Sequence, residues 1–477
     1  MRLSEKYIIV FTGLLGMVFF VYWLLHDPVK DLNVNLPGLD NRPLVDSSVR
    51  EQVKIGEKFF NYTENNSNLV GKWPHFRGAD FDNINKENIP LIDQWGDSDP
   101  DIRWQVKLGE GHAAPVIYNG KVYILDYDEI KKADALRCFA LETGVELWKR
   151  FYTVHIKRNH GMSRTVPAVN DKYLITIGPK CHVMCVNPAN GDFLWGIDLV
   201  EKYGSEIPFW YTGQCPLIEN DIVVLAPAGK SLLIGVDCAT GKVIWETPNL
   251  DGWKMSHSSI MPMQFGGRKM YVYAAIGGLA GISAEGADVG TILWKTTAFS
   301  PSVIAPSPLI LDNGKILLTA GYGAGSVLLQ LKQQGGKFSV DVLKNYKPKD
   351  GLASEQQTPL FYKGHILGIQ PKDAGTQRNL FVCTTTDDPT NILWTSGKDQ
   401  RFGMGPYLIA DGKIFILDDD GTLSIAKASV SGFTLLDKVR IIEGQDAWGP
   451  LALADGFLIM RDSKTLVCID IRNNVEK

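Results

Sequence analysis

Seven short stretches gather the residue types that do chemistry. They are Glu110-Gly-His112, the run from Lys157 through His160 to Arg164, Pro208-Phe-Trp210-Tyr211, Trp253-Lys254-Met-Ser-His257, Glu355-Gln-Gln357, Arg401-Phe402 and Asp446-Ala-Trp448. Histidine exchanges protons near neutral pH, arginine pairs with anions through a planar fork, and tryptophan offers a flat stacking face. Glu110, Glu355 and Asp446 add carboxylate oxygens suited to a hard cation, and Trp210, Trp253 or Trp448 could floor a planar cofactor. A small-molecule or peptide site built from Glu110, His112, His160, Arg164, Trp210, Trp253, Lys254, His257, Glu355, Arg401, Asp446 and Trp448 demands a fold that brings all seven stretches to one place. No catalytic set and no metal site is assigned: the histidines, His160 and His257 among them, stand alone without a nucleophile at a fixed spacing.

Other apparent motifs carry less. Asp418-Asp-Asp-Gly421 lacks the spaced oxygens and closing Glu of a calcium loop and reads as a hairpin turn. Gly321-Tyr-Gly-Ala-Gly325 opens no helix and fails as a dinucleotide loop. The asparagines at Asn61 and Asn65 match the glycosylation acceptor, a pattern common by chance. No Cys-x-x-Cys-His haem site and no adjacent Cys-Cys pair occurs.

The elements that must position the seven stretches follow from periodicity. Prolines at 115, 167, 216, 262, 308, 359, 406 and 450 recur every 44 to 52 residues, each before an alternating β-rich run. In Pro115 to Leu125 and Pro406 to Leu417 the run is broken by Asn-Gly or Asp-Gly, which supply the positive φ of a two-residue hairpin turn. Each repeat ends on a second signal, a turn and then Trp: Trp148, Trp195, Trp245, Trp294 and Trp394, with Trp missing near Leu343 and Leu435. Such a period holding four strands is the signature of a β-propeller, because one blade alone cannot bury both of its faces. Eight prolines predict eight blades. The last repeat lacks its fourth strand, and Ile102 to Leu108, with Trp104 and no turn before it, is expected to supply it and close the ring. The recurring tryptophans read as packing between blades, and the seven stretches fall in the loops entering each inner strand, where propeller ligands usually sit together with loops between second and third strands.

Composition agrees with a globular ring. The 477 residues are 45% hydrophobic and 21% charged, with a net charge of -4 and no long block of either sign, which gives no footprint for nucleic acid. Tyr7 to Leu25 is an uncharged apolar run preceded by Arg2 and Lys6. That reads as an uncleaved transmembrane signal anchor (1–26) that leaves the rest of the chain exported, followed by a polar linker (27–70, with a short helix expected over 53–62) and the propeller (71–477). The seven cysteines do not form a disulfide framework: four residues along a strand separate Cys181 and Cys185 by about 13 Å, and most read as small buried hydrophobes.

These residues resemble the pyrroloquinoline-quinone-like repeat family, whose eight-bladed propellers end each repeat on Asp/Ala-x-x-x-Thr-Gly-x-x-x-Trp. Asp237 to Trp245 matches it best, and Trp73-Pro-His-Phe-Arg-Gly78, Leu91 to Trp95 and Ile102-Arg-Trp104 resemble the opening of its bacterial members. The resemblance spans about Gly71 to Asn474. The family includes quinoprotein dehydrogenases and cofactor-free scaffolds similar to the outer-membrane protein assembly factor B, so it implies fold more firmly than chemistry. The expectation is an inner-membrane-anchored, periplasmic propeller that binds an envelope protein or a small-molecule or saccharide ligand without catalysis and with no cofactor assigned. The alternative is a dehydrogenase of alcohols or sugars holding the quinone and Ca²⁺.

Overall fold

The computed structural model describes residues 3–26, 52–64, 67–96 and 99–473, the side chains of 3–6 and of Ile9 excepted. The chain divides into two compact units, 1–52 and 53–477. In the first, Leu3–Leu25 forms one helix of 23 residues. Among the described residues no helix is long and apolar enough to cross a membrane.

In the second unit, eight antiparallel sheets follow one another in chain order, one per proline repeat. Blade 1 is built on 116–153, and blades 2 to 7 on 168–198, 217–248, 261–296, 309–346, 360–395 and 407–440. The eighth takes three strands from 452–470, and its fourth is Ile102–Lys107, which pairs antiparallel with Thr465–Asp470. The ring is closed as the missing strand requires. The second strand of each blade is buried over almost its whole length, because each blade is covered on both faces by its neighbours, and these strands therefore read as near-continuous apolar runs. The turns between first and second strands have the expected geometry: Asn119 and Gly120 lie at φ 49° and 69°, Asp411 and Gly412 at 46° and 69°.

The blade-ending tryptophans share one construction. In every blade the fourth strand carries a bulge, and the residue just after it is Trp in six of the eight. The extra residue turns the indole toward the next blade, and Trp104, Trp148, Trp195 and Trp245 lie on the glycine of that blade's turn. A Cβ at Gly144 would sit 2.5 Å from Cγ of Trp104, and one at Gly191 or Gly241 would press equally on Trp148 or Trp195. Trp104 and Trp195 also donate through Nε1 to the carbonyls of Leu141 and Cys238 in the same turns, at 2.7 Å each. Directly across the sheet from Trp148, Trp195, Trp394 and Trp104 stand Cys138, Cys185, Cys383 and Cys468, small enough to leave room for the ring. All seven cysteines are buried.

The residues before Asp101 do more than link. Val53–Tyr62 is not a helix: Lys58–Asn61 pairs with the outer strand of blade 1 as a fifth strand, and the folded unit starts at Val53. The aromatic residues Phe59 and Phe60 decide this, the first reaching the Trp148 ring and the second stacking on Phe151 at 5.5 Å. Further on, Lys72–Trp73 joins the inner edge of blade 1 and Ile84–Asn85 runs parallel to the inner strand of blade 7. Both pair with the far ends of those inner strands, away from the entering loops. Between them Arg77, 3% exposed, donates to the carbonyls of Thr358 and Pro359 in blade 6, and the Pro74 carbonyl accepts from Val169 in blade 2. The segment plugs one end of the central channel.

Trp104→Ala removes the indole at the ring closure and is expected to cost about 3–5 kcal/mol, the usual loss for a buried tryptophan. A urea midpoint within experimental error of the parent would show that the ring does not depend on this docking.

Candidate functional site

The open end of the channel is organised by contacts between entering loops. The backbone of Gly111 bridges to Ser163, and His112 and Ala113 both donate to the Ser163 carbonyl. A Cβ at Gly111 would fall 2.7 Å from that same oxygen, so only glycine allows the approach. Glu110 secures this join by accepting from Arg158 Nε at 2.7 Å and from the Gly161 amide at 3.1 Å. Similar joins link His257 N to the Ile304 carbonyl and Gln357 Nε2 to the Trp448 carbonyl.

Inside these loops lies a cavity of about 290 Å³. Its wall includes His112, His160, Arg164, Trp210, His257, Glu355 and Trp448, seven of the twelve residues singled out by sequence, brought together from blades 1, 2, 3, 4, 6 and 8. Phe76, from the plug, lines it too. The aromatic groups are paired: the His112 and Trp448 rings stack at 5.0 Å, and Trp210 lies parallel to Tyr322 at 5.9 Å and 10°. Trp448 is anchored by donating from Nε1 to Asp419 at 3.0 Å.

The other five lie off the cavity wall. Glu110 is engaged in the loop join above. Trp253 is buried over Gly277 and Gly278 of its own blade, Lys254 pairs with Glu206 at 2.8 Å, Arg401 donates to the carbonyls of Thr376 and Arg378, and Asp446 is exposed at φ 59°. Sequence reasoning missed Tyr322 and Lys372, which come from loops between second and third strands of blades 5 and 6. Tyr322 lies inside Gly321-Tyr-Gly-Ala-Gly325, where the clustered glycines were a signal for an exposed turn.

Charge in the cavity is arranged unequally. Arg164 donates from Nε to the Trp210 carbonyl at 2.6 Å and from Nη2 to the carbonyls of Asn159 and His160. Burial lowers its pKa to about 10, so it stays charged at neutral pH. Burial and then the Arg164 charge hold His257 down at about 4, and burial with Arg164 and Arg461 holds His112 at about 3, so both are neutral. Glu355 is pushed up by burial, with the Lys372 ammonium 3.5 Å away acting against it. Burial pushes the Glu110 carboxyl up as well, but the hydrogen bond and charge of Arg158 outweigh it and leave that pKa lowered. Cys215, also on the wall, has its thiol raised to about 11 by burial and is no nucleophile.

A quinone and Ca²⁺ pair would need about six to eight oxygen ligands on the cation and a second carboxylate as base. Among the described residues the cavity wall carries one carboxylate, Glu355, and no group of three His, Cys, Asp or Glu stands close enough to hold a metal. This donor set does not fit that pair.

His75 in the plug is also lowered by burial, to about 4, alongside His112 and His257. Each folded pKa lies below the ordinary 6.5, so between about pH 4 and 6.5 the unfolded chain binds more protons than the folded one. These groups contribute stability fully above pH 6.5, and it is lost as pH falls through that window. NMR titration of the imidazole protons should find that His75, His112 and His257, assigned through single His→Gln variants, do not titrate between pH 5 and 8; ordinary titration of these three near 6.5 would refute the burial.

Residues 92–248 match the family model described as outer membrane protein assembly factor BamB. BamB from Moraxella catarrhalis is similar in structure, with a TM-score of 0.51 at 11% identity over 78% of this chain and 100% of that one. A europium-containing methanol dehydrogenase reaches 0.56 at 11% identity over 84% and 89% of the two chains. The computationally designed Ika8 protein reaches 0.50 at 14% identity over 78% and 100%. No curated protein matches the chain. At these identities the likenesses are of fold: the chain is an eight-bladed propeller, and within it residues 92–248 match the assembly-factor family model.

Proposed function

We propose that this chain is a non-catalytic binding propeller of the cell envelope, held at the inner membrane by Tyr7 to Leu25 with the propeller in the periplasm. The observation that carries the binding role is the cavity itself: paired aromatic faces, an unpaired guanidinium and a single carboxylate converge at the mouth of a channel plugged at its other end. That arrangement can hold a ligand or a segment of a partner protein. It supplies neither the oxygen cluster nor the second carboxylate that quinone-dependent oxidation requires.

The match to an assembly-factor family model supports an envelope partner. Exposed aromatic residues at the mouth, Phe209 at 77% and Tyr322 at 61%, give such a partner apolar surface to cover. The anchor rests on the sequence: an uncharged run of the length a bilayer core requires, with Arg2 and Lys6 before it to keep the amino terminus cytoplasmic.

Supplied with pyrroloquinoline quinone and Ca²⁺, the purified chain is expected to give no dye-linked oxidation of alcohols or sugars. Sustained turnover that Glu355→Gln abolishes would replace this reading with the dehydrogenase one. The full chain should stay in the membrane pellet through an alkaline carbonate wash, and a chain beginning at Val53 should not; release of the full chain by carbonate would remove the anchor from the proposal.

A further inference from the structure

Three buried polar atoms in the cavity wall have no hydrogen-bond partner in the protein: Nδ1 of His112, Nδ1 of His257 and Oε2 of Glu355. His112 and Glu355 are 6% and 7% exposed, so bulk water does not readily serve them. Glu355 is held on one side only, by Lys372 at 3.5 Å from Oε1, and that lysine's side chain is 64% exposed. A donor arriving in the cavity would complete the carboxylate.

Arg164 presents the opposite need. Its three hydrogen bonds all go to carbonyls. Glu110, the carboxylate whose charge it feels, gives its oxygens to Arg158 and Gly161. Among the described residues no carboxylate forms a salt bridge with Arg164, so the guanidinium faces the cavity without a counter-ion.

The two charges are separated by the aromatic pair. Arg164 holds the Trp210 carbonyl, Trp210 stacks on Tyr322 at 5.9 Å, Lys372 Nζ lies 5.6 Å from the Tyr322 ring centre, and Glu355 packs on Gly321 beside it. A single amino acid, whose ammonium and carboxylate share one carbon, is too short to pass two stacked rings. Two residues of extended chain cover about 7 Å. The volume of 290 Å³ sits at the small end of ligand pockets.

We propose that the cavity binds a zwitterionic dipeptide with an aromatic side chain, its carboxylate on Arg164, its ammonium on Oε2 of Glu355 and its ring against the Trp210 and Tyr322 faces. The proposal rests on the binding role argued above and names the ligand class for the same cavity. Both ends are read by charge, so the free termini are the recognition feature and a longer peptide, whose termini lie farther apart, cannot satisfy both groups at once.

The probe is glycyl-L-phenylalanine, measured by calorimetry and by quenching of tryptophan fluorescence on the full-length protein, beside its N-acetyl form, its carboxamide and N-acetylphenylalanine. The free dipeptide should bind, and acetylation or amidation should each weaken it by about tenfold or more. Arg164→Gln should erase the difference between acid and amide, and Glu355→Gln the difference between amine and acetamide. Equal affinity for all forms of the dipeptide would overturn the proposal without using any variant. Binding of N-acetylphenylalanine alone, lost in Arg164→Gln, would overturn the zwitterion while leaving a binding cavity in place. Failure of every probe to bind would sink the dipeptide and leave the binding role to a partner segment.

Discussion

An indole laid on a glycine is the contact on which this ring depends. It needs three local features at once: a bulge that aims the Trp out of its sheet, a small residue opposite to make room, and a neighbouring turn with no Cβ. The chain provides the set at Trp104, Trp148 and Trp195, with Cys468, Cys138 and Cys185 opposite and Gly144, Gly191 and Gly241 beneath. The cysteines are thereby explained by size alone. In blades 5 and 7 the bulge persists while Lys344 and Asp437 occupy the Trp position. Lys344 reaches Asp388 and Thr390 of blade 6, so a charged clasp replaces the indole there. Asp437 accepts from the amide of Trp95, and that tryptophan, 9% exposed and packed in the core cluster that includes blade 8, takes a place the repeat leaves vacant.

Closing the ring fixes the channel, and the segment before the first blade turns the channel into a cavity. Arg77 is the pin of that segment. A fully buried guanidinium is costly unless its donors are met, and here they go to four backbone carbonyls, two of them in blade 6. With the far end plugged and Phe76 on the wall, the cavity opens at the mouth. The rim is stiffened by bonds between loops: 111 to 163 and 257 to 304 join neighbouring blades, and 357 to 448 reaches from blade 6 to blade 8.

The ring was legible in the sequence because repetition is a strong signal: eight prolines, six blade-ending tryptophans and the Asn-Gly and Asp-Gly turns each mark the same place in successive blades. The closing strand was legible as a Trp without a turn. The plug was not, since Arg77 and Thr358 are 281 residues apart and the segment obeys no period. Nor was the strand at Lys58–Asn61, which polar neighbours disguise as linker. Within the mouth, sequence found the right loops but not which side chains face inward. Glu110 and Trp253 have the chemistry of a site and are claimed by the Gly161 amide and by the Gly277–Gly278 pair, partners that only the fold brings near.

The electrostatics of the mouth follow from burial as much as from residue choice. Eight histidines in a chain of net charge -4 would suggest a pH-responsive site, yet the two best placed to respond are held neutral, and Arg164 is one cause in both. Beside those histidines the wall carries Arg164, Lys372 and Glu355, and the last two face each other at 3.5 Å. The guanidinium without a carboxylate partner is therefore that of Arg164, at the mouth beside the Trp210–Tyr322 pair. An acidic protein keeps a guanidinium without a carboxylate partner at the mouth of a plugged, aromatic-walled cavity, and that local inversion of sign, rather than the overall charge, is what the cavity presents.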